Sequence, residues 1–189
     1  MRISVTWLGQ QVVGSVCSQA MAHASPVWEK FLFPPWETTS TSKKEKEIDF
    51  KEDNAMALLI LLNIAHLQFN KIPIQTLKYS LHYDVAILVD QYQCIGLVIT
   101  FKWTWLGNYG WDSTRPGKEG WLFIAWVFGL EKTFEEVAER LVKGLHSDGG
   151  GKWYIGAVLL PETMPPGFIG KFIFPVRFTG MWESAQAHI

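Results

Sequence analysis

Cysteine is scarce in this sequence: Cys17 and Cys94 are the only two. They stand far apart in apolar surroundings and in no CxxC pair, which argues against a disulfide framework and suits reduced intracellular thiols. Excess charge of either sign is missing as well, with 17 Lys and Arg against 18 Asp and Glu. No global field therefore gathers nucleic acid or anionic lipid, and neither is expected as a partner. Long hydrophobic runs are also absent. The longest, Ala55 to Ile64 broken only by Asn63, falls short of the roughly 20 residues needed to cross a bilayer. Gln10 and Gln11 interrupt the apolar N-terminus and Arg2 is a thin basic start, so no secretory signal is expected. These absences point to a soluble protein of the cytoplasm or nucleus.

What is plentiful is apolar material. A chain of 189 residues that is 48% hydrophobic can bury roughly 70% of the surface its unfolded form exposes, enough for one compact domain with an appendage. Arg2 to Trp7 and Gln11 to Val16 are partly β-branched and flank Leu8-Gly9-Gln10, where the glycine can take a positive φ, so a hairpin is expected. Ser18 to Phe33 suits two short helices meeting near Ser25, because Pro26 allows helix after it only if Ser25 starts a fresh turn. Thr38 to Glu47 is polar and mixed in charge, which predicts a mobile loop over 38–46. Glu47 to Lys51 alternates as a half-buried strand does.

A helix is expected from Asp53, whose carboxylate can cap it. Its residues Ala55 to Ile64 are apolar on nearly every side, as in a helix surrounded by others. After Pro73, the stripe Leu77, Leu81, Val85, Leu88 and Tyr92 predicts a second packed helix. Gly107 to Gly120 carries four glycines and a proline and marks a linker over 107–120, closing a first domain at residue 106. Trp121 to Phe128 reads as a buried helix, and Thr133 with Glu136 as the capping box of another. Gly149 to Gly151 end the helical region, so 121–189 is expected to be a helical extension and an irregular tail. The fold class is α+β.

Groups that could carry chemistry fail on spacing. His146-Ser147-Asp148 holds the residue types of a hydrolase triad, but consecutive residues do not place the base between nucleophile and acid, and a helix-end cap is the simpler reading. Gly149 to Lys152 lacks the phosphate-loop spacing, with Trp153 where a hydroxyl is needed. Cys17 and His23 have no second ligand pair, and two ligands do not close a zinc site. Ser80, His82 and Asp84 diverge by about 200° at each step of a helix and suit a solvated face. No cofactor, metal or catalytic residue is expected, and the ten tryptophans read as core and interface material.

Two segments resemble a family. Val16-Cys17-Ser18-Gln19-Ala20-Met21-Ala22-His23-Ala24-Ser25-Pro26-Val27-Trp28 is similar to the BTB/POZ segment in which a strand ends, a short helix follows, and Ser-Pro-Val plus an aromatic begins the next. Ile48-Asp49-Phe50, Leu59 to His66, and Ala86-Ile87-Leu88-Val89-Asp90-Gln91-Tyr92-Gln93-Cys94 resemble the BTB strand, paired helices and A-x-L-x-D-x-Y-x-C signature of fungal members. Ala125 to Phe128 and Leu160-Pro161-Glu162 resemble the region that follows the domain in those proteins. The resemblance implies a BTB/POZ-like helical core with a small sheet on one side, followed by a helical extension.

It also implies a non-catalytic protein–protein interaction module, an adaptor or scaffold for other proteins, with self-association or a cullin-type ubiquitin ligase as the partners left open. Family members open on a Gly-Asp pair whose aspartate lines a charged pocket at the dimer interface. Here no acidic residue precedes Glu29, so the resemblance carries no expectation of the usual strand-exchanged dimer. The nearest match to a cullin-binding hydrophobic-x-Glu element is Phe33, Trp36 and Glu37, with Pro34-Pro35 between them. Trp28, Phe31, Phe33 and Trp36 are the candidate contact aromatics together with Glu37, and core packing is the competing reading for Trp28 and Phe31. Two alternatives stand beside the adaptor: a small hydrolase or ligand-binding enzyme using His146 or His82, and a degenerate BTB paralogue whose interfaces are lost.

Overall fold

In a computed structural model of the chain, which describes residues 1–35, 47–107 and 113–169, Leu8 and Gly9 both take positive φ, 48° and 77°. This is the two-residue turn whose twist matches that of paired strands. It joins β1 (Arg2–Trp7) to β2 (Gln10–Ser15) in an unbroken antiparallel register that runs from Trp7 opposite Gln10 to Arg2 opposite Ser15. A third strand, β3 (Glu47–Asp49), pairs in parallel with β1 on its other side, giving the order β2-β1-β3. Strand β2 is thus an edge, and every one of its residues is exposed.

Helix α1 (Ser18–Ala24) and helix α2 (Pro26–Leu32) meet at Ser25, whose extended backbone ends one and begins the next. The Ser25 hydroxyl accepts from the Trp28 amide at 3.0 Å and donates to the Tyr92 carbonyl at 2.6 Å, so the corner is capped and tied to a distant helix end. Helix α3 (Ala55–Ala65) starts one residue later than an Asp53 cap requires. Asn54 is its cap and accepts from the Met56 and Ala57 amides, each at 3.1 Å, while Asp53 is engaged by Tyr92 and Gln91. Replacing Asn54 by alanine should cost about 1 kcal/mol, read as a lower urea midpoint with an unchanged slope.

Helix α4 (Tyr79–Gln91) packs on α3 and buries His82, Val85, Ala86, Leu88 and Val89. This corrects the sequence reading of Ser80, His82 and Asp84 as a solvated face, since His82 lies at i−3 and i−4 to Val85 and Ala86 and shares their inward side. Short helices α5 (Ile95–Val98) and α6 (Lys102–Leu106) follow. The chain divides within α6 into two compact units, Met1–Trp105 and Leu106–Ile189.

In the second unit, α7 (Trp121–Val127) is buried on every residue. Helix α8 (Glu131–Gly144) starts before the Thr133–Glu136 box, with Leu130 at its cap and no side-chain cap bond. Thr133 is inside the helix and buried, because Gly129 at φ 63° turns the chain and the Phe134 amide already bonds the Leu130 carbonyl at 2.8 Å. Residues 113–120 are more than a bare linker: Ser113 and Glu119 are buried, and Glu119 accepts from the Gly117 amide at 3.0 Å. The extension is also not purely helical. Strands β4 (Leu145–Ser147), β5 (Trp153–Ile155) and β6 (Val158–Leu159) form an antiparallel sheet in that order. Among the described residues, no helix is long and apolar enough to cross a membrane.

Candidate functional site

The sheet and α3 build an apolar concavity in the first unit. Ile3, Val5 and Trp7 alternate along β1 on the side that faces α3, and the antiparallel register places Val12 and Gly14 of β2 on that same side. Ala55, Leu59, Leu62 and His66 recur along α3 at helical spacing and form the opposite wall. Between them runs an apolar groove of about 520 Å³. Val12 at 44% and Leu59 at 45% exposure are its open lips. Helix α3 is therefore enclosed on all but one side, the correction that the structure makes to its all-round apolarity.

One polar group anchors the groove. The Cys17 amide donates to His66 Nε2 at 2.9 Å, and His66 Nδ1 lies 2.8 Å from the Leu62 carbonyl. Accepting at Nε2 places the proton on Nδ1, which donates to Leu62. Both ring nitrogens are occupied, so this imidazole ties the end of the hairpin to α3 and has no lone pair left for acid–base work.

A second hollow, about 350 Å³, lies beside Phe31, Lys51, Asp53 and Tyr92. The Tyr92 hydroxyl donates to Asp53, and Gln91 Nε2 donates to both Asp53 at 3.4 Å and the Tyr92 oxygen at 3.1 Å. Burial pushes the Asp53 carboxyl above its usual range, against the pull of those two donors. Burial first, then the neighbouring Asp53, raises the Tyr92 phenol. Buried Cys94 is pushed up to about 12 by desolvation, which removes it as a nucleophile. Cys17, by contrast, is exposed, not the core residue its apolar neighbours suggest.

Of the candidate contact residues, Trp28 is fully buried, with its ring 5.2 Å from that of Tyr92. It is a core residue, and its place in a contact surface is corrected accordingly. Phe31 at 49% and Phe33 at 48% are exposed and flank the buried Leu32. Trp36, Glu37 and the loop 38–46 lie outside the described residues, as does the tail from residue 170. The groove residues Val12 and Leu59 went unread as surface. Two features signal them: an α3 apolar all round beside a small sheet, and a stretch between Arg2 and Glu29 with no Asp, Glu, Lys or Arg.

The residues of the two histidine hypotheses do not meet in a site. His82 is buried in α4. His146 is exposed on β4 and stacks on Tyr154 with ring centroids 5.9 Å apart. Its neighbours Ser147 and Asp148 accept from the amides of Gly149, Gly150 and Lys152, shaping a strand turn where the sequence suggested a helix-end cap. Among the described residues, no group of three His, Cys, Asp or Glu could hold a metal ion. Compared with family models, curated proteins and solved structures, the chain matches none.

Proposed function

We propose that this chain is a non-catalytic protein-interaction module of the BTB/POZ kind, acting as an adaptor or scaffold between other proteins. The observation that carries this reading is the meeting of the two segments on which the resemblance rests. Ser25 of the Ser-Pro-Val-Trp corner donates to the carbonyl of Tyr92 at 2.6 Å, and Trp28 packs on the Tyr92 ring, Tyr92 belonging to the A-x-L-x-D-x-Y-x-C signature. The order of elements adds to it: a hairpin, two short helices, a strand returning beside the first, and a helical hairpin with a buried centre. So does the apolar material left at the surface, the groove and the Phe31–Phe33 pair, since aromatic side chains that fill a partner's pocket carry most of an interface's energy.

Binding of the purified full chain to a purified cullin, beside a Phe31→Ser/Phe33→Ser variant, tests the ligase-adaptor form of this reading. The wild type is expected to bind, and the variant to bind at least tenfold more weakly while unfolding at the same urea concentration. Equal binding removes these two phenylalanines from the site. No binding by the wild type removes the cullin and leaves an adaptor for another protein. A Trp36→Ala/Glu37→Ala variant in the same assay reports on the remaining two candidates.

A further inference from the structure

We propose that two copies of this chain pair through β2, antiparallel and about a two-fold axis at Val13, to make a continuous six-stranded sheet with three strands from each. The inference stands on the sheet edge and does not rest on the adaptor reading. In a two-residue hairpin the closing pair, Trp7 and Gln10, is hydrogen-bonded, and bonded and non-bonded pairs then alternate. Val5–Val12 and Ile3–Gly14 are therefore the bonded pairs, and the Val16 amide continues the series to the Met1 carbonyl at 3.0 Å. It follows that Gln11, Val13 and Ser15 turn their amides and carbonyls outward, away from β1. Among the described residues this ladder has no partner, and a further strand would pair it along its length.

The edge carries none of the devices that keep strands apart. It has no lysine, no proline and no bulge, and the sequence carries no Asp, Glu, Lys or Arg from residue 3 to residue 28. Arg2, opposite Ser15 on β1, and Lys71, in the groove lining, are the charges beside it. A second copy of the same edge sets no charged residue of β2 against another and matches it. Pairing about Val13 sets Gln11 opposite Ser15 of the other copy and Val13 opposite Val13, all three being outward-bonding positions. On the groove side, it sets Val12 of each copy against Gly14 of the other. Gly14 lines the groove, and a side chain there would meet only Ile3, at 4.0 Å. The glycine thus leaves an opening at the edge through which the partner's exposed Val12 reaches the apolar surface above Ile3. Both grooves then lie on one side of the joined sheet.

Sedimentation of the purified full chain at high micromolar concentration tests this. The expected mass is twice the 21.6 kDa of one chain. Val13→Pro removes an outward N–H and none of the bonds to β1, and it is expected to halve the mass. Val13→Lys and Val13→Glu, which keep that N–H, should each sediment as single chains, because like charges then face one another across the axis. An equimolar mixture of the two should recover the double mass, since only a register that sets position 13 against itself brings lysine to glutamate. Should the proline variant fail to fold, judged by circular dichroism, the charged pair carries the test alone. A wild type that sediments as one chain overturns the proposal, whether or not it binds other proteins. So does a dimer that survives both charged substitutions. Absence of cullin binding with the dimer intact removes only the cullin from the adaptor reading and leaves the pairing standing.

Discussion

Replacing Trp28 by alanine will cost about 3–5 kcal/mol, the largest single loss expected from any of the candidate contact residues. The indole is fully buried, it lies against Tyr92, and it sits one turn after the Ser25 corner, so its removal leaves a cavity where α2 meets the end of α4. For a unit of this size, the fall in melting temperature is on the order of 15 °C or more. Phenylalanine should be tolerated far better. The Trp28 Nε1 has no hydrogen-bond partner among the described residues, and an unpaired buried donor is itself costly by about 1–3 kcal/mol. Losing it offsets part of the lost ring area. Thermal unfolding of the two variants beside Phe31→Ser, which should lie within about 0.5 kcal/mol of wild type as exposed substitutions do, separates the core aromatic from its surface neighbour. Equal melting of all three would overturn the assignment of Trp28 to the core.

Acid should destabilise the first unit through His82. Burial lowers its pKa from 6.5 to about 4, so the folded state holds the neutral imidazole while the unfolded chain binds a proton readily. The contribution is fully retained above pH 6.5, is lost as the pH falls from 6.5 to about 4, and is flat below that. Its size is about 3 kcal/mol at the acid end. Asp53, Asp84 and Asp90 act with the opposite sign, because burial raises each of them and the folded state then gains protons in acid. Urea unfolding of the wild type and of His82→Leu, compared at about pH 7.5 and pH 4.5, cancels the carboxylates and isolates the histidine. The difference between the two proteins should shift by about 2–3 kcal/mol in favour of the leucine variant at the lower pH. A shift of zero would mean that the imidazole reaches water in the folded chain.

Local chemistry made much of the first unit legible. Gly9 announced the hairpin, Ser25-Pro26 the break between α1 and α2, and the alternation of Ile48 and Phe50 the third strand. Errors arose where tertiary contact decided between equal local choices. Asp53 and Asn54 can both cap a helix, and the choice falls to Asn54 because Tyr92 and Gln91 occupy Asp53 from the far end of α4. The apolar stripe of α4 points inward as its spacing indicates, with Leu77, Val85, Leu88 and Tyr92 all buried and Leu81 half-buried. What the pattern missed is His82, a polar residue that shares the packed side. In the second unit, the capping box was present in sequence and unused in space, and three strands of two or three residues fell below the length at which alternation can be read. Gly156 at φ 58° between Trp153–Ile155 and Val158–Leu159 was the available sign of that hairpin. The groove lay furthest from view, because each of its walls reads as ordinary core until the sheet is seen to stop at β2.

The bond from Ser25 to Tyr92 also sets a clock. It spans 67 residues of sequence, against 45 for the pairing of β3 with β1, so the corner closes only when most of the first unit has been synthesised. At roughly 5–20 residues per second, the corner waits roughly 3–13 s on the ribosome for its partner. Throughout that interval Trp28 lacks the Tyr92 ring on which it packs, and the apolar side of the corner stays uncovered until residue 92 arrives.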